Sequence, residues 1–384
     1  MYKWIIIGGG IHGCCIANRL LKEKICRKDL LIIDAYPEPM HVWRSLTEKI
    51  GMDYLRSPSV HHIAQDPFSL KEYAHKFDYA QPFKGRYRRP RLDMFNQHSI
   101  DEMDEVNVRE CWKQGIVNWL KRSDGVWEVS LFTNEVIQAE HVVLAMGVNR
   151  KPQYPQWFSG AEDKKHIRHI FDQETVLPEK GDVFVLGGGM TAAHLAHTLA
   201  RKSAINSVTI LKRHPFRINN FDSDPGWLGP KYLRNFYEVD CYEKRRKLIQ
   251  EARHRGSITS ELYVKLKKQV KAGRLRFYTG ELEKVKCKED IIEIQMDDGE
   301  RLVANTMLLA TGAKASMPGE KWLTPVIKKL NLPCAPCGFP VVAPSLEWKQ
   351  KLYVAGALAE LEIGPTSRNI AGARKTADRI AQNA

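Results

Sequence analysis

The chain repeats one pattern of apolar and polar positions, in which a strand-length apolar run leads into a glycine-rich loop and then into a helical segment. In the first copy, the apolar residues 4–7 lead into residues 8–13 (Gly-Gly-Gly-Ile-His-Gly), and a small-residue helical pattern follows. A second apolar run, residues 30–33, ends in Asp34. This order predicts a strand, a tight turn, a helix and a second strand, an arrangement that binds dinucleotides.

The glycines of the first loop have separate expected roles. Gly8 allows the turn, Gly10 lets backbone amides approach a pyrophosphate, and Gly13 lets the helix pack closely on the strand. Asp34 stands where an acid accepts hydrogen bonds from a ribose diol. We therefore predict that these residues bind a dinucleotide.

The second copy begins with the apolar run 183–186, which leads into residues 187–192 (Gly-Gly-Gly-Met-Thr-Ala) and a further helical pattern. Alanine in the last position of this loop still permits close packing of helix and strand. The chain therefore carries two nucleotide-binding modules. The predicted contacts of the second loop are Gly187, Gly189, Thr191 and Ala192.

Basic residues follow the second module at the place where the first module has an acid. After the predicted strand 207–211 come Lys212 and Arg213, with Arg217 close behind. An acid there would repel a 2′-phosphate, whereas a guanidinium group pairs with it through two hydrogen bonds. We therefore expect NADPH rather than NADH at the second module, with an ordinary basic loop end as the alternative interpretation.

The remaining patterns predict the elements that join the two modules. Residues 35–58 show little periodicity and predict a long functional loop, and residues 147–155 predict a linker. Helices are expected after Asp66, over 92–103, over 237–250 and 260–271 within a helical insertion at about 221–271, and over 369–382. Strands are expected over 106–109, 116–121, 126–132, 136–139, 141–145, 275–279, 291–296, 302–309 and 351–356, with a hairpin turn at 123–125.

Composition places the chain among globular proteins. Its 384 residues are 43% hydrophobic and 27% charged, and no apolar run approaches the roughly 18–20 residues of a membrane span. A strand close to Met1 leaves no room for a signal peptide, and eight scattered cysteines argue against a disulfide scaffold, so we expect a cytoplasmic protein. The net charge of +14 comes without an aromatic-interleaved basic stripe, which favours attraction of anionic cofactors over nucleic-acid binding.

Two glycine-rich modules, a strand that ends in Thr311-Gly312, and a late strand that runs into Gly356 before a helix resemble the flavoproteins with two dinucleotide-binding domains. The resemblance implies an α/β fold with two Rossmann-like domains, FAD in the first and NADPH in the second, which is inserted in the first. The implied domains are residues 1–150 for FAD, 151–305 for NADPH and 306–384 for the return to the FAD domain. The implied FAD contacts beyond the first loop are Trp43, Met146, Gly147, Thr311, Gly312 and Gly356.

Within that class the chain is similar to the NADPH-dependent N-hydroxylating flavin monooxygenases that act on lysine or ornithine. Residues 43–74 resemble their flavin-proximal loop, and residues 216–221 resemble part of their NADPH-domain insertion. Arg56 then stands where this family places a basic residue near the substrate and the nicotinamide. The chain departs from the family at Ala313, where tyrosine is usual, and in residues 356–365, which differ from the usual histidine-containing ending.

The resemblance also implies a reaction. NADPH would pass hydride to FAD, reduced flavin would react with molecular oxygen, and a flavin hydroperoxide would oxidise an amine or another soft nucleophile. Because the flavin carries this chemistry, the sequence predicts no catalytic side chain and no metal. The substrate is expected to be a small molecule of unknown identity, and an oligomer is compatible with the sequence.

Other groups of residues leave different functions open. Cys334 and Cys337 resemble the redox Cys-x-x-Cys of small thioredoxin reductases, although two loop thiols beside prolines are the simpler interpretation. An NADPH reductase that passes electrons to this dithiol or to a partner protein is the alternative, and a non-catalytic flavin-binding redox module is a third. His194 and His197 lie one turn apart, but no third metal ligand is evident. Residues 158–164 match only the start of a flavin monooxygenase fingerprint, because lysine replaces its histidine.

Overall fold

The structure is a computed structural model, which describes residues 1–23, 25–147, 151–158 and 165–383. Two large sheets, one mixed and one entirely parallel, dominate these residues, and each contains one strand that leads into a glycine-rich loop. The α-helices, in chain order, are α1 (Ile11–Lys22), α2 (His41–Lys49), α3 (Ser69–Lys76), α4 (Leu92–Glu105), α5 (Met190–Leu199), α6 (Pro230–Tyr237), α7 (Tyr242–Ala252), α8 (Ser260–Lys271), α9 (Glu320–Leu330), α10 (Glu360–Ile363) and α11 (Ile370–Ala381). The strands are β1 (Tyr2–Ile7), β2 (Leu30–Asp34), β3 (Phe83–Lys84), β4 (Arg89–Pro90), β5 (Trp112–Gln114), β6 (Val117–Ser123), β7 (Val126–Leu131), β8 (Val136–Leu144), β9 (Ile167–His169), β10 (Gly181–Leu186), β11 (Ile205–Lys212), β12 (Arg217–Ile218), β13 (Ser257–Ile258), β14 (Leu275–Thr279), β15 (Leu282–Cys287), β16 (Ile292–Met296), β17 (Arg301–Ala304), β18 (Thr306–Leu309), β19 (Glu347–Lys349) and β20 (Leu352–Val354).

The first sheet has the order β19-β20-β8-β1-β2-β5, with β7 beside β8 and β6 beside β7. β1 lies between β8 and β2 and runs parallel to both, so the first glycine loop leaves the sheet at its carboxyl edge. β2 is buried along its whole length, as expected for a parallel strand with both faces covered. β6 and β7 form the predicted hairpin, which Asp124 and Gly125 turn with positive φ.

The second sheet is entirely parallel, in the order β14-β11-β10-β18-β9. β10 leads into the second glycine loop, and α5 follows it. The predicted strand 302–309 is in fact two strands, because β17 joins an antiparallel meander with β15 and β16 while β18 enters the parallel sheet. The expected return to the FAD domain at residue 306 coincides with the start of β18, which pairs with β10 of the second sheet. We propose that the second domain extends through β18.

Outside the two glycine loops, the structure confirms several predicted helices and contradicts one predicted strand. α4, α8 and α11 confirm the helices expected from the apolar periodicity, and α6, α7 and α8 lie within the expected helical insertion. The strand expected over 106–109 is wrong, since a 3-10 turn occupies Val108–Cys111 and β5 follows it. Residues 35–58 are not a loop throughout, because α2 lies within them. Residues 148–150 of the expected linker and 159–164 of the fingerprint segment lie outside the described residues.

Each of the two large sheets has its own apolar core. Trp4 and Phe95 are among the largest buried side chains of the first core, and Val185 and Leu195 belong to the second. Met52 packs against both cores and so links the two modules. In the described part of the chain, no helix has the length and apolar character needed to cross a membrane, and no cluster of three or more His, Cys, Asp or Glu side chains suits a metal ion.

Candidate functional site

The first glycine loop forms a cradle at the carboxyl edge of β1. Gly8 has a φ of +109°, and a Cβ atom there would lie 2.6 Å from the carbonyl oxygen of Ala145. A Cβ atom at Gly13 would overlap the carbonyl oxygen of Gly8, so glycine permits the close approach of α1 to the loop. By contrast, apart from Gly10 itself and its chain neighbours, no atom of the described residues lies within 4 Å of the Cβ position of Gly10. A ligand can therefore approach the backbone at Gly10.

Asp34 ties the first loop to the end of β2. Its buried carboxylate accepts hydrogen bonds from the backbone amides of Gly9, at 2.6 Å, and Tyr36, at 3.0 Å. Each carboxylate oxygen has a second lone pair, so the ribose contact of Asp34 stays a prediction. Gly10 is the N-cap of α1, and no side chain caps this helix end. A helix N-terminus of this kind attracts the negative charge of a pyrophosphate.

A cavity of about 680 Å³ opens from this cradle. Its volume lies in the usual range for cofactor and small-molecule sites, and apolar side chains make up much of its lining. Gly13 is not part of the cavity lining; it allows α1 to pack closely against the loop. The lining contains the following residues that the sequence predicted as contacts: Gly8, Gly10, Asp34, Trp43, Arg56, Met146, Gly147, Thr191 and Gly356. The structure therefore brings together most of the predicted FAD contacts.

The cavity lining also includes residues that sequence reasoning missed, among them His12, His61 and Arg368. Burial lowers the pKa of His61 to about 4, so its ring is neutral near neutral pH. Arg368 is fixed by Glu360, whose oxygens accept hydrogen bonds from its Nε, at 2.6 Å, and its Nη2, at 2.8 Å. No sequence signal marks these residues, because they meet only when the terminal segment folds back on the first loop.

Glu360 is a buried carboxylate shared by two guanidinium groups. Arg246, on α7, donates a hydrogen bond to Oε1, and Arg368 donates to both oxygens. Burial alone would raise the pKa of Glu360, but the hydrogen bonds and charge of Arg368, with the charge of Arg246, hold it below its ordinary value. The carboxylate thus fixes the helical insertion against the terminal segment beside the cavity.

Arg56 lines the cavity, but its guanidinium group fastens the two modules together. Its Nη2 donates to the carbonyl oxygens of Asn219, at 2.8 Å, and Phe221, at 2.6 Å, and to Oγ of Ser257, at 2.8 Å. Burial is the main reason that its pKa is lowered. Nε is buried without a hydrogen-bond partner among the described residues. A substrate contact of Arg56 therefore stays a prediction, and its other contacts are structural.

The second glycine loop repeats the geometry of the first. Gly187 has a φ of +144°, and a Cβ atom there would lie 2.6 Å from the carbonyl oxygen of Ala310. Gly189 is the N-cap of α5 and has no side-chain cap. Ala192 is buried, and its Cβ atom lies 3.4 Å from the position that a Cβ atom would take at Gly187. Thr191, in the first turn of α5, reaches the large cavity.

The basic residues after β11 differ in whether their side chains are free to bind a ligand. The Lys212 side chain is buried, donates a hydrogen bond to Oγ1 of Thr279 and lies over the ring of Phe216, at 5.3 Å. Burial lowers its pKa. Lys212 is therefore a poor candidate for the predicted contact with a 2′-phosphate. Arg213 and Arg217 are exposed and make no side-chain hydrogen bond or ion pair within the described part of the chain.

Thr311 and Gly312 lie away from the cavity. They follow β18 at the carboxyl edge of the second sheet, and the Thr311 hydroxyl donates to the carbonyl oxygen of Gln153, at 2.5 Å. Nε2 of His169 lies 3.2 Å from the same hydroxyl. Neither residue is part of the cavity lining, and their strand belongs to the second sheet, so an FAD contact of Thr311 and Gly312 stays a prediction.

The dithiol candidates also lie apart from the cavity. Cys334 is partly exposed and Cys337 is exposed, and neither is part of the lining. Both thiols are free. Their loop turns tightly, with the amide of Gly338 donating to the carbonyl oxygen of Ala335 at 2.8 Å. The position of Cys334 and Cys337 gives no support to direct electron transfer from a ligand in the cavity.

Solved structures with similar folds cover the whole chain. An ornithine hydroxylase from Pseudomonas aeruginosa has a TM-score of 0.77 at 17% identity, with 100% of this chain and 98% of that chain covered. An ornithine N-hydroxylase from Kutzneria sp. 744 has a TM-score of 0.79 at 14% identity and the same coverage. A bacillithiol disulfide reductase from Bacillus cereus has a TM-score of 0.59 at 19% identity, again with 100% and 98% covered. At these identities the similarity shows a shared fold.

Sequence comparison gives the family. Among curated proteins no sequence matches the chain. The family model described as pyridine nucleotide-disulphide oxidoreductase matches residues 2–374, which include both glycine loops and the first residues of the terminal helix α11. The chain therefore belongs to the pyridine nucleotide-disulphide oxidoreductase family.

Proposed function

We propose that the chain is an FAD-dependent monooxygenase that uses NADPH and molecular oxygen to hydroxylate the nitrogen of an amine, or to oxidise another soft nucleophile. The two ornithine hydroxylases support the proposal, since they share the fold over the whole chain. The structure of the Kutzneria protein carries reduced FAD, NADP⁺ and L-ornithine. A disulfide reductase has the same fold class at a lower TM-score, so the site must decide between the two reactions.

One observation carries the proposal: residues of both modules border a single cavity. Gly8 and Gly10 belong to the first loop, whereas Met190 and Thr191 belong to the helix that follows the second loop. This shared border supports hydride transfer from a nicotinamide that would be held at the second loop to a flavin that would be held in the first module. No thiol lies in the lining, and a direct transfer between the two bound cofactors needs none.

The residues of the first module fit FAD. Gly10 and the uncapped end of α1 would hold the pyrophosphate, and Asp34 would accept a hydrogen bond from the adenosine ribose. Bound FAD would supply hydride acceptance and reactivity with oxygen, which no side chain of the chain provides. Apolar residues such as Trp43 and Leu55 would exclude water from the reacting groups.

The residues of the second module fit NADPH. Gly189 and the uncapped end of α5 would hold the pyrophosphate, and the free guanidinium groups of Arg213 and Arg217 would bind the 2′-phosphate. Cofactor binding by these residues is a proposal. It predicts that NADH, which lacks the phosphate, is the poorer reductant.

The experiment that tests the proposed function is a screen of the FAD-loaded protein with NADPH in oxygenated buffer. A panel of primary amines and amino acids is added one at a time, and both NADPH oxidation and hydroxylated product are measured. We expect at least one compound to accelerate NADPH oxidation and to yield its hydroxylamine. A variant with Cys334→Ser and Cys337→Ser should react equally well, because neither thiol borders the cavity.

Three results would contradict this function. If NADPH reduces the flavin, no nucleophile is oxygenated, and a disulfide is reduced only while both cysteines are present, the protein is a dithiol reductase. If a partner protein accepts the electrons instead, the protein is an electron-transfer reductase. If FAD binds but NADPH does not reduce it, the protein is a non-catalytic flavin-binding module.

A further inference from the structure

His12 lies between the first glycine cradle and the terminal segment of the chain. It stands in the first turn of α1, and it belongs to the cavity lining. Its ring lies 3.6 Å from the Cβ position of Gly356, and its Nε2 lies 2.8 Å from the carbonyl oxygen of Ser367. The Ser367 hydroxyl in turn donates to the carbonyl oxygen of Gly356, at 2.5 Å. The imidazole thus joins two distant parts of the chain beside the cavity.

The contact with Ser367 fixes the tautomer of His12. A carbonyl oxygen can only accept a hydrogen bond, so Nε2 must carry the proton. Burial lowers the pKa of His12 below its ordinary value, which keeps the ring neutral near neutral pH. Nδ1 therefore has a free lone pair. It makes no hydrogen bond with any residue in the described ranges.

The position of His12 along a bound dinucleotide follows from the cradle. The backbone at Gly10 suits the pyrophosphate, and Asp34 suits the adenosine ribose. His12 and Gly356 line the cavity side by side, so the other half of a dinucleotide that extends away from Asp34 would pass His12. In FAD, the group beyond the pyrophosphate on that side is the ribityl chain. Its hydroxyl groups are hydrogen-bond donors that need an acceptor.

We propose that His12 is a positioning residue for the ribityl chain of FAD, with Nδ1 accepting a hydrogen bond from one of its hydroxyl groups. This inference rests on the proposed binding of FAD to the first module. The bond forms in a largely apolar cavity, where a hydrogen bond is stronger than in water. The hydrogen bond from the ribityl hydroxyl group to Nδ1 would orient the ribityl chain, which leads to the flavin ring. The hydrogen bond to Ser367 holds the imidazole in place.

The test compares FAD with ADP, which has the adenosine and the pyrophosphate but no ribityl chain. Both are titrated into apoprotein, and dissociation constants are measured by calorimetry. We expect His12→Leu to weaken FAD binding about tenfold and to leave ADP binding unchanged. His12→Gln should restore most of the affinity for FAD, because its amide supplies both a donor for Ser367 and an acceptor for the hydroxyl.

His41 provides the matched control on the other side of the cradle. It also borders the cavity, and its ring stacks on Tyr36 at 4.6 Å, close to Asp34. His41→Leu should therefore weaken FAD and ADP to the same extent. If His12→Leu weakens FAD and ADP equally, or leaves FAD binding intact, the ribityl contact is wrong.

A spectroscopic measurement needs no substitution. Histidine ring ¹⁵N shifts of the wild-type apoprotein should show the Nε2–H tautomer at His12, and the Nδ1 signal should move when FAD is added but not when ADP is added. The opposite tautomer, or an Nδ1 signal that FAD does not move, would overturn the inference even if the variants fail to fold. If the wild-type protein does not bind FAD at all, the proposed function itself fails.

Discussion

The two glycine loops share one backbone geometry but differ in the residues that surround them. Gly8 and Gly187 both have positive φ, and at either position a Cβ atom would lie 2.6 Å from a carbonyl oxygen of the neighbouring strand end. Behind the first loop, Asp34 turns back and bonds the amide of Gly9. Behind the second, Lys212 is buried and Arg213 is exposed.

This comparison separates two kinds of information in the sequence. The spacing of small residues specifies the turn and the close approach of the helix, because both depend on the absence of a side chain. The charge that a ligand meets depends on the residue after the next strand and on where its side chain goes. Spacing alone does not predict that Asp34 bonds its own loop or that Lys212 points into the protein.

The largest loss of stability is expected when Gly13, the last residue of the first glycine loop, is replaced by alanine. The second loop already has an alanine, Ala192, at the equivalent position. A Cβ atom at Gly13 would overlap the backbone oxygen of Gly8, whereas the second module accommodates the Cβ atom of the buried Ala192 at the equivalent position. We expect Gly13→Ala to destabilise the protein by about 3 kcal/mol and to abolish FAD retention. Ala192→Gly should cost only about 1 kcal/mol, through helix propensity.

Urea unfolding of the two apoproteins measures this difference. Similar losses of stability for Gly13→Ala and Ala192→Gly would mean that α1 and α5 sit at the same distance from their loops. The steric contrast between the two modules would then be wrong. FAD retention after gel filtration gives a second, independent measurement on the same samples.

Buried neutral histidines give the next contrast, because more of them lie in the first module. In the first module, burial lowers the pKa of His62, His98 and His141 to about 4. In the second module, burial lowers the pKa of His194 and His197 to about 4. The unfolded chain takes up these protons near pH 6.5 but the folded chain does not, so their contribution to stability is complete above about pH 6.5. It is lost as the pH falls toward 4, by up to about 1.4 kcal/mol per pH unit for each histidine.

Hydrogen exchange of the apoprotein, resolved by peptide, distinguishes the two modules in this titration. We expect β1 and β8 to lose protection earlier than β10 and β11 as the pH is lowered. A constant unfolding free energy across the window would contradict the depressed pKa values. Equal loss of protection in both sheets would show that the modules unfold as one unit.

The parts of the site that the sequence predicts are those set by local spacing. The glycines, Asp34 and the helix starts follow from short-range sterics and appear as expected. The sheet to which Thr311 belongs does not follow from the sequence, because a strand ending in Thr-Gly fits either sheet and only the pairing of β18 with β10 assigns it to the second. His12 and Arg368 meet at the cavity only because the terminal segment returns to the first loop, a contact of long sequence separation.

The smallest effect concerns the charges after the second loop, where the comparison predicts unequal roles for two adjacent basic residues. Arg213 is exposed and without a side-chain partner in the described part of the chain, so its guanidinium group can bind a 2′-phosphate. Arg213→Ala should raise the KM for NADPH about tenfold and leave that for NADH nearly unchanged, because only NADPH has this phosphate. Lys212→Met is the control. Lys212 already donates a hydrogen bond to Thr279 inside the protein. Lys212→Met should therefore change the KM for NADPH and the KM for NADH alike, because it affects only the stability of the protein. Steady-state kinetics with both nucleotides decide the matter, and a selective effect at Lys212 instead of Arg213 would mean that the buried lysine turns outward when NADPH binds.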